Sequence, residues 1–337
     1  MDVTENPVNF SEFLQQDLAD VQVRFGKEVA SDLGCVNELT QYVERYRGKM
    51  LRPMLVLISA MASGGLCGKS DQLLEAHRIV ATVVEMVHMA TLVHDDILDE
   101  ADSRRQGKTI NCLKGNEAAV MLGDYLISHA YHLCASVGDQ KVSQAIAGIT
   151  NTVCEGELLQ LHHRDQLDID LETYYEILRR KTGALTGICT QMGAQLHGLN
   201  PQIVQKMYHI GQELGVAFQI IDDLLDLAGD EAVVGKTLGV DLRKGKLTLP
   251  MIYLLSILDP APRQEMQAMI RQVEDGNQAL VSVLMEHLLE KNCIAYAQQL
   301  ASDRVNAVIQ DIKALLPDNR GRQMLLQVAQ AVIARQS

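Results

Sequence analysis

Helical periodicity runs through nearly the whole chain, and it constrains the fold more than any other feature. "SEFLQQDLADVQVRF", "DQLLEAHRIVATVVEMVHMATLV", "NEAAVMLGDYLISHAYHLCA", "PQIVQKMYHIGQELGVAFQIIDDLLDL" and "QEMQAMIRQVED" all place apolar residues three or four positions apart. That spacing gathers a buried stripe along an α-helix. No long segment alternates as a half-buried strand must. The prolines at 7, 53, 201, 250, 260, 262 and 317 sit near helix starts or between helical runs, and Asn200-Pro201 reads as an N-cap followed by a first-turn proline. The expectation is an all-α, single-domain bundle of roughly ten or more helices occupying 1–337, with 47% hydrophobic residues to fill its core.

Composition excludes several function classes. A net charge of -13 with 4% aromatic residues opposes nucleic-acid binding, which needs a basic face and stacking rings. The start, "MDVTENPVNFSEF", has neither the basic nor the apolar region of a signal peptide. The most apolar stretch, Ile79 to Val93, is broken by Glu85 and His88 and is shorter than a bilayer requires, so no transmembrane segment is expected. Seven scattered cysteines without a C-x-x-C pair read as reduced thiols of a cytoplasmic protein. "SGGLCGKS" (63 to 70) lacks the first glycine of a phosphate-binding loop and follows a helix, so it reads as a helix connection. Residues 228 to 248, with glycines interleaved among lysines, have the composition of a mobile lid carrying cations.

The chemistry lies in two acidic triplets set in apolar helices. "HDDILDE" carries Asp95, Asp96 and Asp99, and "IIDDLLD" carries Asp222, Asp223 and Asp226. Residues i and i+4 share a helix face, so Asp95 with Asp99, and Asp222 with Asp226, each form a two-carboxylate claw. Half-burying such like charges costs several kcal/mol unless a cation offsets them. Oxygen-only ligands suit Mg²⁺, which bridges carboxylates to phosphate oxygens. A single triplet reads equally well as a solvated face; two copies flanked by apolar residues favour metal. A di-iron bundle would need two Glu-x-x-His elements, and only Glu85-x-x-His88 is present.

Cations elsewhere suggest what the metals hold. Lys49 and Arg52 lie in "YRGKMLRP", Arg104 and Arg105 in "DSRRQGK", Lys181 in "RRKTG", and Lys236 and Lys246 in the lid. The set suits two polyanions, one leaving under Lewis-acid stabilisation and one needing only Lys and Arg.

In order, "GKMLRP", "HDDILDEADSRR", "EAAVMLGDYL", "KTG", "FQIIDDLLD" and "GKTLGVDLRKGKLTLP" resemble the trans-isoprenyl diphosphate synthases, or polyprenyl synthetases, over about residues 45 to 255. The resemblance implies the isoprenoid synthase fold around a central cavity, in a homodimer. It also implies a prenyltransferase that joins isopentenyl diphosphate head-to-tail to an allylic diphosphate such as farnesyl diphosphate. Asp95, Asp99, Asp222 and Asp226 are then ligands of two or three Mg²⁺ ions, with Asp96 and Asp223 beside them. Lys49, Arg52, His88 and Arg105 resemble the isopentenyl diphosphate pocket, and Arg104, Lys181, Lys236 and Lys246 the allylic one. Thr182 and Gln219 resemble the polar groups facing the allylic cation. His94, Glu155, Glu157 and Gln160 fit a supporting role and a plain polar face equally well. "RRQGKT" departs from the family's usual "RRGKPT", which puts any role for Lys108 in doubt.

Ala90 and Thr91, five and four residues before Asp95, lie about one turn away on the expected cavity side. Both are small, where bulky aromatics tend to stop family members at fifteen carbons. A deeper floor is expected from Val83, Met86 or Val87, or from Tyr131 and Cys134. The expected product is a polyprenyl chain of about 30 to 50 carbons, of the kind used for quinone side chains. A twenty-carbon product, a terpene cyclase and a non-catalytic partner subunit of the same fold are the alternatives.

Overall fold

The structure is a computed structural model that describes residues 10–44, 48–104, 107–228, 247–277 and 279–334, with side chains from Leu14 onward. The described residues are all-α apart from one minimal ladder, and the chain divides into two compact units built from non-contiguous stretches. Arg105, Lys236, Lys246 and most of the expected lid lie outside the described residues.

The first unit comprises Met1–Thr150, Ile188–Tyr208 and Leu316–Leu325. It contains α1 (Phe10–Glu28), α2 (Gly34–Glu44), α3 (Leu51–Gly64), α4 (Glu75–Leu98), α5 (Ile110–Lys114), α6 (Asn116–Ala135) and the start of α7 (Gln140–His162). Helix α3 is buried almost without interruption from Leu55 to Gly64, and α4 from Ile79 to Val87, as expected of helices apolar on every face. At 24 residues α4 exceeds the apolar stretch seen in the sequence and is long and apolar enough to cross a membrane, so the length argument against spanning does not hold. Two thirds of its most apolar window is nevertheless buried inside the protein, packed among α1, α3 and α6, which makes it the core helix of this unit.

Small residues let backbones approach α3. A methyl group on Gly193 or Gly321 would collide with the backbone around Ala60 or Ala62, and Ser63 Oγ donates to the Gly193 carbonyl at 3.1 Å. The "SGGLCGKS" segment is a connection, as read: α3 ends, one 3₁₀ turn (Gly65–Cys67) follows, and Gly68 turns the chain at φ 73°. After α4, Ser103–Arg104 (β1) and Gly107–Lys108 (β2) form a two-residue antiparallel ladder, in register Ser103 to Lys108, which helical periodicity gave no reason to expect.

The second unit comprises Asn151–Gly187, His209–Leu315 and Leu326–Ser337. It holds the remainder of α7, α8 (Leu171–Leu178), a π-helical turn (Arg179–Gly183), the start of α9 (Ala184–Gln195) and most of α10 (Pro201–Ala228). Then come α11 (Leu249–Ile257), α12 (Pro260–Glu274), α13 (Leu280–Glu290), α14 (Cys293–Leu315) and the end of α15 (Arg320–Ala334). The proline signals hold: Asn200 Oδ1 accepts the Ile203 N–H at 2.9 Å before Pro201 opens α10, and Pro260 opens α12. Tyr253 and Tyr296 stack at 3.7 Å, and Arg304 pairs with Glu213 while lying 4.6 Å over the Tyr175 ring.

His77, on the first turn of α4, is completely buried 4.7 Å from the His197 ring, and its Nδ1 accepts the Leu74 N–H. Burial, then the neighbouring His197, pushes its pKa down to about 3. The unfolded chain takes up a proton below pH 6.5 that the folded ring refuses, so this stability term is intact above pH 6.5 and is lost progressively as pH falls toward 3. By pH 5 the loss is on the order of 2 kcal/mol. His77→Gln, which keeps a capping acceptor without a titrating ring, should flatten the pH dependence of the thermal midpoint between pH 7 and 5; an unchanged slope would remove His77 as its source.

Candidate active site

Both acidic triplets occupy the last turns of long helices, the ends that carry the negative pole of the helix dipole. Carboxylates placed there are destabilised by the backbone as well as by one another, which makes each helix end a cation acceptor. In the first unit, Asp95 is half-buried and Asp99 exposed. Asp99 caps the helix with αR geometry and donates its N–H to the Asp95 carbonyl at 2.8 Å, so the two keep their i, i+4 relation beyond the last helical residue. Asp96 turns inward and is 1% exposed. Arg104 donates to Asp96 Oδ1 from both Nε (2.8 Å) and Nη2 (2.7 Å), and Asn111 Nδ2 donates to the Asp96 carbonyl at 3.2 Å. The short ladder brings Arg104 back beside the helix it follows, so the middle aspartate anchors a cation that sequence reading assigned to substrate alone.

Arg52 lies on the first turn of α3 with a buried Nε. Burial lowers its pKa, and the negative charges of Glu85 and Asp95 act in the opposite sense. Arg52 thus shares a neighbourhood with Asp95 of the first claw. Glu85, 3% exposed on α4, supplies the counter-charge; in the sequence it stood out only as a carboxylate in an apolar run. Burial pushes the Cys189 thiol up to about 12, so it remains neutral. Lys49 is exposed immediately before Met50, which holds φ 52° at the start of α3, and His88 is half-buried on α4. Ala90 is fully buried; Thr91 donates its hydroxyl to the His88 carbonyl at 2.8 Å; Tyr131 is half-buried on α6.

In the second unit, Asp222 is exposed, Asp226 half-buried and Asp223 4% exposed. As in the first triplet, the middle aspartate points inward. Gln219 Nε2 donates to Asp223 Oδ1 at 2.9 Å and the Tyr174 hydroxyl donates to Oδ2 at 3.1 Å. Thr182 donates its hydroxyl to Gln219 Oε1 at 3.2 Å. Burial, and then the Asp223 charge, hold the Tyr174 pKa well above its usual value, so it stays a donor.

Lys181 and Thr182 sit on the π-helical turn, a loosened form of helix that clusters at functional sites. Thr186 Oγ1 donates to the Gly183 carbonyl at 3.0 Å, supplying a hydrogen bond beside the turn. Helix α7 presses on it at Gly156, where a methyl group would stand 2.6 Å from the Lys181 nitrogen, and α10 presses at Gly215 against Gly183 and Thr186. Lys181 Nζ pairs with Glu157 Oε2 at 2.5 Å, and Arg180 pairs with Glu155 and Glu176. Glu157 therefore supports the cation assigned to the site, whereas Tyr174, Gly156 and Gly215 carried no recognisable signal in the sequence. An open groove of about 840 Å³ between the 165–168 loop and α12 contains none of these residues.

Among the described residues no three His, Cys, Asp or Glu side chains converge as a ready metal cage, and the outer carboxylates of each triplet stand as i, i+4 pairs. Such pairs fit Mg²⁺, which keeps waters and substrate oxygens in its shell and seldom uses an all-protein cage.

The polyprenyl synthetase family profile matches residues 34–288. Octaprenyl diphosphate synthase of Escherichia coli is 33% identical over 98% of this chain and 99% of its own length. Heptaprenyl diphosphate synthase component 2 of Geobacillus stearothermophilus is 38% identical over 72% of this chain and 74% of its own. A crystal structure of a decaprenyl diphosphate synthase from Rhodobacter capsulatus superposes with a TM-score of 0.88 at 33% identity, covering 97% of this chain and 98% of that one. Both aspartate triplets fall inside the matched region, and the resemblance extends over essentially the whole length: the chain belongs to the polyprenyl synthetase family.

Proposed function

We propose that this chain is a medium- to long-chain trans-polyprenyl diphosphate synthase, a prenyltransferase that adds isopentenyl units to an allylic diphosphate until about 30 to 50 carbons are reached, for use in quinone side chains. The observation that carries it is the pair of carboxylate claws at the negative ends of α4 and α10, in a chain whose relatives are named octaprenyl, heptaprenyl and decaprenyl synthases. A twenty-carbon product and a cyclase have less support from those names.

In this reading Asp95, Asp99, Asp222 and Asp226 would hold Mg²⁺, which when bound supplies the Lewis acidity that lets the allylic diphosphate leave. Arg104, steadied by Asp96, and Lys181, steadied by Glu157, bind that diphosphate, together with Lys236 and Lys246. Lys49, Arg52, His88 and Arg105 bind the isopentenyl diphosphate, which stays on its carbon skeleton. Thr182 and Gln219 present oxygen dipoles to the allylic cation while the isopentenyl double bond attacks. The proton then passes to the departed diphosphate. Apolar walls exclude water that would quench the cation. The whole chain then works as one polyprenyl synthetase domain, as the family profile over residues 34–288 supports.

Leu113, Val120 and Met121 expose 40%, 43% and 66% of their surfaces on α5 and α6, which supports a homodimer through this face. The likeness to a heptaprenyl synthase component favours a second reading in which this chain is the catalytic member of a two-chain enzyme.

Incubated with Mg²⁺, isopentenyl diphosphate and farnesyl diphosphate, the protein should release pyrophosphate and yield a polyprenyl ladder ending in one length of about 30 to 50 carbons by mass spectrometry; a cyclised hydrocarbon would overturn the proposal. Asp95→Asn should lower kcat by at least about 100-fold, equivalent to roughly 3 kcal/mol of transition-state stabilisation, with an unchanged thermal midpoint. Ala90→Phe should shorten the product, and a ladder of wild-type length would show that the tail does not pass Ala90.

A further inference from the structure

Tyr174 has no role in the mechanism above, yet it is 4% exposed and its one polar atom is committed to Asp223. The directions of three hydrogen bonds show why that commitment matters. Asp223 accepts from Tyr174 at Oδ2 and from the Gln219 amide nitrogen at Oδ1. Both Asp223 oxygens serve as acceptors, so Gln219 turns its NH₂ toward Asp223 and its carbonyl the other way. That carbonyl accepts the Thr182 proton, which leaves the Thr182 oxygen with its lone pairs pointing away from Gln219. The relay carries donors in one sense only, and its outer end is an oxygen with no proton left to give in that direction.

We infer that Tyr174 is a positioning residue that fixes the polarity of the Asp223–Gln219–Thr182 relay, so that Thr182 presents lone pairs rather than a proton to the electron-poor carbon of the reaction. The inference rests on the proposed prenyl transfer. Removing the Tyr174 hydroxyl leaves Oδ2 of a buried carboxylate without this donor, so that the carboxylate swings from its present position. A displaced Asp223 no longer dictates the Gln219 amide orientation. After an amide flip, Gln219 offers NH₂ to Thr182, whose own proton is then free to face the cation, a dipole of the wrong sign. Binding of either diphosphate depends on Lys, Arg and metal rather than on this relay, so the effect should fall on kcat.

The experiment is a double-mutant cycle. Tyr174→Phe should lower kcat about tenfold, with KM for both diphosphates within twofold and the thermal midpoint within a few degrees. In a Thr182→Val background, which removes the end of the relay, the same substitution should cost less than twofold. Additive losses, or a change confined to KM, would overturn the inference. Should Tyr174→Phe fold poorly, Gln219→Leu with Thr182→Val tests the same chain, and additivity there overturns it equally. A readout independent of turnover separates this from the proposed function: the side-chain amide resonances of Gln219 in ¹⁵N-glutamine-labelled protein should shift in Tyr174→Phe. Unmoved resonances would overturn the relay even in an active enzyme, whereas resonances that move in Tyr174→Phe, beside a wild-type protein that makes no polyprenyl product, would overturn the prenyltransferase reading alone.

Discussion

Everything at the candidate site answers to one electrostatic burden: two helices end in paired carboxylates at the pole where their own backbones are already negative. A soluble helix ordinarily finishes with Lys, Arg or a glycine cap. Here α4 finishes with Asp95, Asp96 and the cap Asp99, and α10 carries Asp222, Asp223 and Asp226 in its last two turns. Each outer pair keeps its carboxylates exposed or half-buried, and each middle carboxylate is withdrawn and hydrogen-bonded. In the proposed reading the outer pairs would hold metal, while the carboxylate one residue away is tied into the protein's own hydrogen bonds.

The two inner aspartates discharge that task differently. Asp96 takes a guanidinium, a charge-assisted contact that fixes both the hairpin and a cation. Asp223 takes the Gln219 amide and the Tyr174 hydroxyl, two neutral donors, and through them orders dipoles. Like-looking triplets are thus built for unlike neighbourhoods. In the proposed reaction the first holds a binding group and the second a polar wall facing the developing charge.

The fold class was legible because helix periodicity needs only local spacing, and so were the claws, whose i, i+4 geometry is set by the helix itself. Asn200 and Pro201 announced the start of α10 for the same reason. What could not be read were consequences of tertiary approach. Tyr174 lies 49 positions from Asp223, and nothing in "LETYYEIL" separates it from Tyr175, which instead meets Arg304. Arg104 and Arg52 were visible as cations, but their fixed partners Asp96 and Glu85 depend on how a hairpin folds back and how α3 meets α4. The apolar extent of α4 was underestimated because Glu85 and His88 look like interruptions in a linear reading, whereas a buried counter-charge lets a helix carry such groups through its core.

The π turn at Arg179–Gly183 has a consequence for how such a chain tolerates change. One surplus residue inside an otherwise regular helix acts as a rotational offset: every side chain upstream is turned by about 100° relative to where an uninterrupted α-helix would set it against those downstream. The two glycines that press on the turn, Gly156 and Gly215, sit on different helices and lock that offset from both sides. A one-residue deletion anywhere in "RRKTG" would leave a perfectly good helix by local criteria, yet would bring Lys181 and Tyr174 into a phase where they no longer meet their present partners together. The five-residue length of the turn is therefore a structural requirement in its own right, separate from the identity of the side chains it carries.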